Sequence, residues 1–202
     1  DLSDVLALQG EIARAVAGQV RIELTPDEQA ALEPSRTVDP QAYDAYLRGR
    51  KLQGPINLVR VWGPQAIEQF ERAVELDPSF AEGWAWLARA RHTLGGGGFD
   101  LRLRSEFLKA REAAERALEI DDRLGAAHAA LGAVRLSYDW DFPGARRAFE
   151  RAVQLSPSDP NGLSGYAWYL LLVEGNVEEA LEHSERLLRV APLDVHWRAH
   201  RL

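Results

Sequence analysis

Residues 66 to 78 read Ala-Ile-Glu-Gln-Phe-Glu-Arg-Ala-Val-Glu-Leu-Asp-Pro, and residues 145 to 157 read Ala-Arg-Arg-Ala-Phe-Glu-Arg-Ala-Val-Gln-Leu-Ser-Pro. Two further phrases share the pattern, opening at Ala110 and Ala180. The Glu-Arg pairs that begin at Glu71, Glu115, Glu150 and Glu185 recur at intervals of 44, 35 and 35 residues. Within each phrase three residues repeat at spacings of four and three: Ala66, Phe70, Ala73; Ala110, Ala114, Ala117; Ala145, Phe149, Ala152; Ala180, Ser184, Leu187. Such a spacing marks one face of a helix. Pro78, Pro157 and Pro192 close three of the phrases and Asp122 stands in the same place in the other, so each helix ends there.

A fixed period of this length identifies a repeat architecture, in which each unit is one supersecondary element. The pattern resembles the tetratricopeptide repeat, a 34-residue helix hairpin with a small residue, an aromatic and a terminal proline in its second helix. The first helix of each unit then carries a large residue followed by a hydrophobic and small pair. Trp84, Leu87 and Ala88 fit this, as do His128, Leu131 and Gly132; Tyr43, Tyr46 and Leu47 fit in part, and Ser164, Ala167 and Trp168 fit poorly. The resemblance implies an all-α helix-hairpin solenoid wound as a right-handed superhelix, with four hairpins over residues 39–192. Extra residues fall between the helices of unit two, around Gly95 to Gly98, and of unit one, around Gly54 to Gly63.

Boundary signals agree. Asp39-Pro40 and Asp159-Pro160 offer an N-cap followed by proline, and Ser79 with Glu82 reads as a capping box. Thr25-Pro26 predicts a short helix within a linker over 25–38, and Asp194 predicts the start of a fifth, incomplete unit over 193–202. Residues 3 to 24 form a separate amphipathic pattern with Val5, Leu8, Ile12, Ala15 and Ile22 along one stripe.

With 24 basic against 31 acidic residues the chain of 202 residues has a formal charge of −7, which argues against a basic nucleic-acid footprint over its surface. The absence of cysteine excludes disulfides, thiolate metal sites and cysteine nucleophiles. No apolar run is long enough to cross a membrane, and a cytoplasmic location is expected.

Three segments carry a closer resemblance: 1 to 13, beginning Asp-Leu-Ser-Asp-Val; 39 to 50, Asp-Pro-Gln-Ala-Tyr-Asp-Ala-Tyr-Leu-Arg-Gly-Arg; and 138 to 142, Tyr-Asp-Trp-Asp-Phe. They are similar to bacterial proteins in which a tetratricopeptide array follows a TolB-like α/β domain, itself preceded by a class III adenylate cyclase domain or a winged helix. The resemblance implies that residues 1–24 are a helix from the end of an upstream domain. Catalytic and DNA-binding residues would then lie outside this chain.

What remains is a surface. In such arrays the first helices line the concave face, which predicts a lining of Asp44 and Arg48, then Trp86, Arg89 and His92, then Ala129, Ala130 and Ala133, then Gly165, Tyr166 and Tyr169. Trp86, Tyr166 and Tyr169 would anchor a peptide and Arg48 and Arg89 would read a carboxylate; packing against neighbouring helices is the alternative for each aromatic. Other motifs carry little. His196 and His200 lack the glutamate of a zinc protease, and Gly95 to Gly98 is not followed by Lys-Ser/Thr. Asp139 and Asp141 read as turn caps, and Arg146-Arg147 and Arg102-Leu103-Arg104 as solvated bases. The expectation is a non-catalytic regulatory module without cofactor or metal, whose partner is a protein or peptide and neither nucleic acid nor membrane. Residues 3–24 are expected either to fold back onto the array or to pair with the same segment of a second copy. The alternative is a dimerisation or structural module of an adenylate cyclase whose catalytic domain is elsewhere.

Overall fold

The computed structural model describes residues 38–53, 59–96 and 104–191. Within them eight α-helices follow one another: α1 Pro40–Leu52, α2 Val59–Leu76, α3 Ala81–Gly96, α4 Arg104–Ile120, α5 Gly125–Val134, α6 Phe142–Leu155, α7 Pro160–Tyr169 and α8 Val177–Val190. No strand occurs among the described residues. The expectations for residues 1–37 and 192–202 lie outside them. The helices pair as α1/α2, α3/α4, α5/α6 and α7/α8, and each pair packs on the next. Asp39 caps α1 through the amides of Gln41 and Ala42, at 2.8 and 3.1 Å, and Asp159 caps α7 through Gly162. The capping box does not form. Asp77 Oδ1 accepts from both the amide and the hydroxyl of Ser79, because this carboxylate already lies beside the amides of the turn. The expected excess before Gly63 is also shorter, since α2 starts at Val59 and takes Gly63 and Pro64 into its helix.

The recurring small residues mark where helices touch. Ala66, Ala73, Ala110, Ala114, Ala117, Ala145, Ala152 and Ala180 are all at most 1% exposed. Phe149 of α6 is wedged between two first helices. A Cβ at Gly132 of α5 would lie 3.0 Å from its ring, and one at Gly165 of α7 would collide with it. Phe70 of α2 likewise leaves no room at Gly49 of α1, where a Cβ would come within 2.7 Å. Phe149 therefore joins its own hairpin to the next one, and Phe70 does so through Trp86 of α3, at 6.2 Å between ring centroids. Unit two is tied differently. Arg91 of α3, 8% exposed, pairs with Glu71 of α2 and, at 2.6 Å, with Glu106 of α4.

Units three and four repeat every 35 residues, one more than the 34 of the usual unit. The surplus residue is absorbed by a single π-helical turn at the end of each first helix, Arg135–Asp139 after α5 and Leu170–Glu174 after α7. Each turn is closed by a left-handed residue, Trp140 (φ 56°) and Gly175 (φ 64°). The equal spacing also corrects the register of unit four: Leu163, Tyr166 and Ala167 are buried, while Trp168 is 36% exposed. The large and small positions are thus one residue earlier than Ser164, Ala167 and Trp168. Trp168 belongs to the neighbouring helix face.

Phe149→Ala is expected to cost about 3 to 5 kcal/mol, the usual range for emptying a buried phenylalanine site. Gly165→Val should overpack the same contact and cost about 1 to 3 kcal/mol. Thermal unfolding followed by circular dichroism checks both, and an unchanged midpoint in either would show that the wedge does not hold units three and four together.

Candidate functional site

The first helices of units two, three and four touch one another in sequence, α3 with α5 and α5 with α7, without comparable contacts between successive second helices. The first helices therefore form the inner side of the array. Position 86 of α3, 130 of α5 and 165 of α7 are repeat equivalents, each facing the wedge position of the preceding second helix. Gly165 faces Phe149, and Ala130 faces Ala114 in the core. In unit two both members are large: Trp86 meets Phe70 at 6.2 Å between ring centroids. The space is already filled by Phe70, which is fully buried, so the indole of Trp86 stays only half-buried at the surface.

Two guanidinium groups converge on that indole. Arg50 Cζ of α1 lies 3.8 Å from the Trp86 ring centroid and Arg89 Cζ 4.8 Å from it. Arg50 donates to the Tyr46 hydroxyl at 2.7 Å, and Tyr46 packs edge-on against Trp86 at 6.4 Å. Burial pushes the Tyr46 hydroxyl above its ordinary value and the cation beside it opposes that, so the phenol stays neutral. Arg89 donates to Gln53 Oε1, while Gln53 Nε2 is buried without a hydrogen-bond partner among the described residues. The result is a cationic, aromatic patch on a chain of net negative charge.

The structure redistributes the residues expected from sequence. Asp44 and Arg48 are on the far side of α1 from Trp86. The face of α1 turned inward is Ala42, Ala45, Tyr46 and Gly49, and at about 100° per residue positions 44 and 48 fall opposite Tyr46. They pair with each other at 2.8 Å, both more than half exposed, a contact worth little in water. Tyr166 and Tyr169, 5% and 4% exposed, stack on each other at 6.3 Å and pack against Phe149 inside the core of units three and four. They are buried because they stand 35 residues after Leu131 and Val134, core positions of α5, whereas Trp168 stands 35 residues after the half-buried Ala133 and is itself partly exposed. Burial raises Tyr166 to about 12, with Glu150 nearby adding to the effect. Trp86, Arg89, His92, Ala133 and Gly165 are all half-buried. Ala129 and Ala130 form a closed floor, 4% and 5% exposed. Arg50 and Gln53 were not expected; the available signal was the spacing of Arg50 four residues after Tyr46.

His92 bridges α3 to unit three, its Nε2 lying 2.9 Å from Ser137 Oγ, which itself donates to the Ala133 carbonyl at 2.7 Å. Its ring stands edge-on to Phe107 at 5.5 Å. Desolvation pushes this imidazole down to about 4, with the Arg89 charge adding to the fall and the Ala133 carbonyl opposing it. The ring is neutral near pH 7 and acts as a hydrogen-bonding strut. No group of three acidic or histidine side chains able to hold a metal ion occurs among the described residues, and no described helix is long and apolar enough to cross a membrane.

This architecture is found in solved structures. The chain superposes on a thermophilic tetratricopeptide protein of Thermus thermophilus with a TM-score of 0.61 and 22% identity, covering 98% of this chain and 95% of that one. The chain has the tetratricopeptide-repeat fold. A structure of MamA matches at a TM-score of 0.47 and 20% identity over 76% of this chain and 81% of that one. No family model matches the sequence. Among curated proteins, putative adenylate cyclase 3 of Rhizobium meliloti (strain 1021) is 32% identical over 87 residues, which are 43% of this chain and 14% of that protein. The likeness thus spans a small part of the relative's length.

The lowered His92 value sets a pH dependence. Above about pH 6.5 the ring is neutral in both folded and unfolded chains and stability is unaffected by it. Between about 6.5 and about 4 the unfolded chain binds a proton that the folded one refuses, so stability falls as pH falls. His183, lowered chiefly by burial, acts in the same direction. Denaturant unfolding of wild type and His92→Gln over this range should show a slope shallower in the variant by up to ~1 kcal/mol per pH unit. Equal slopes would mean that His92 is solvated.

Proposed function

We propose that this tetratricopeptide array is a protein-interaction module of a larger bacterial signalling protein, and that its inner face binds an extended peptide bearing an acidic group. The observation that carries this reading is the half-buried indole of Trp86 flanked by the guanidinium groups of Arg50 and Arg89. Like charges brought to one ring favour an anion between or beside them, and guanidinium groups bind carboxylates in a forked geometry. The small residues of unit three leave a shallow floor, and Trp168 offers a second aromatic surface beyond it. A peptide lying along this strip would place its carboxylate at Arg50 and Arg89 and an apolar side chain near Trp168.

The signalling context is supported by the 87-residue likeness to an adenylate cyclase, in a protein of which this chain matches 14%. Catalysis, in this reading, belongs to other parts of that larger protein, and the array supplies recognition.

Selection of random nonapeptides from a display library is expected to enrich acidic residues next to apolar ones. Against the best selected peptide, Arg50→Ala and Trp86→Ala should each weaken binding by about 1 to 3 kcal/mol, roughly fivefold to a hundredfold, in a calorimetric titration. Arg48→Ala, on the opposite side of α1, should change affinity less than about twofold, since its guanidinium is paired with Asp44 away from Trp86. Enrichment without acidic residues, or affinity that ignores Arg50 and Trp86, would refute the assignment of the inner face.

A further inference from the structure

The two edges of the array differ in chemistry. The turns that lead from one unit to the next are polar and aspartate-rich, at 77–80, 121–124 and 156–159. The opposite edge, where each hairpin turns from its first to its second helix, displays Val61, Trp140, Leu172 and Val177 at 65, 72, 67 and 52% exposure. Trp140 is the most telling of these. It occupies the left-handed conformation in which its repeat counterpart is Gly175, where open space surrounds the Cβ position. A side chain there costs energy that glycine avoids. Its ring stands edge-on to Phe142 at 6.0 Å between centroids, and most of it stays in water. The turn beneath it is firmly held. Arg111 pairs with Asp139 at 3.2 Å, Asp141 caps Gly144 at 2.9 Å, and Phe107 stacks on Tyr138 at 5.3 Å. A rigid turn thus displays a strained, exposed tryptophan whose return lies outside the described hairpins.

We propose that residues 3–24 of the same chain cover this edge, laying the stripe of Val5, Leu8, Ile12 and Ile22 over Trp140 and Leu172. The stripe is the one long apolar pattern of the sequence left without a place in the repeats. At 1.5 Å per residue it would run about 25 Å as a helix, enough to cross the turns of two hairpins whose helices pack about 10 Å apart. The chain enters α1 at the polar edge, where the Asp39 amide donates to Asp77 Oδ2 at 3.2 Å. Fourteen linking residues reach up to about 46 Å, against about 27 Å for the length of the longest described helix. A tether of this size holds the segment at an effective concentration of order millimolar, so at micromolar protein the chain's own segment outcompetes that of a second copy.

The chain contains no cysteine, so introduced pairs report proximity directly. Ile12→Cys is combined with Leu172→Cys on the apolar edge, or with Ser158→Cys on the polar edge, in the full chain under mild oxidation. Leu8→Cys serves as a second register. The expected result is an intrachain disulfide to position 172 at least tenfold faster than to 158, and slowed by Trp140→Gly, which the backbone accommodates as at Gly175. In parallel, Val5→Asp with Ile12→Asp should speed amide exchange at 135–141 and 170–176 and leave 77–80 unchanged, a readout that needs no change in the hairpins. Equal rates to both edges, or no disulfide from either register, would overturn the proposal. Disulfides between chains whose yield rises with concentration would do so too, assigning the edge to a second copy.

Discussion

An aromatic ring driven between three helices is the contact on which this array depends. Phe149 fills the junction of α5, α6 and α7, and it can do so because glycine stands at positions 132 and 165. Helices approach closely only where side chains are small, and the ring then buries its whole surface while stitching two hairpins together. Alanine supplies the same close approach elsewhere, as at Ala110, Ala114 and Ala117 of unit two. The mean geometry of the array follows from repeating this exchange of large for small.

The candidate site arises where that exchange is broken. At the junction of units one and two the wedge is Phe70 and its counterpart is Trp86, so two large rings compete for one space. Phe70 wins the interior and the indole is left half-buried, on the side of the array where first helices face inward. Arg50 and Arg89 then cover it through cation–π contact. A packing conflict in the core thereby becomes a charged, aromatic feature at the surface, the kind of anchor around which recognition energy concentrates.

A second departure from ideal repetition has its own outcome. The surplus residue in units three and four is housed as a π turn rather than a loop, which preserves the packing of both helices and forces a left-handed residue immediately after it. Glycine meets that demand at 175; at 140 a tryptophan meets it at a conformational cost. Tyr166 and Tyr169 stand 35 residues after Leu131 and Val134, which are core positions of α5, and this position in the repeat, not their chemistry, takes them into the interior.

The period of small and aromatic residues determined the number of hairpins, their chain order and most helix ends, because close helix contacts and caps are local demands that a single segment must satisfy. Asp39, Asp141 and Asp159 cap where their positions in the sequence place them. The site was legible in part: Trp86, Arg89 and His92 follow from the repeat. Which arginine of α1 accompanies them did not, since Arg48 and Arg50 differ by about 200° around the helix and only packing against α2 and α3 decides which one faces Trp86. The tyrosines, by contrast, were decidable from the spacing, since Tyr166 and Tyr169 stand 35 residues after Leu131 and Val134. What only the tertiary contacts decide is how a junction shared by successive units is filled: glycine at 165 leaves its space to Phe149, whereas Phe70 meets the ring of Trp86 and keeps it out of the interior.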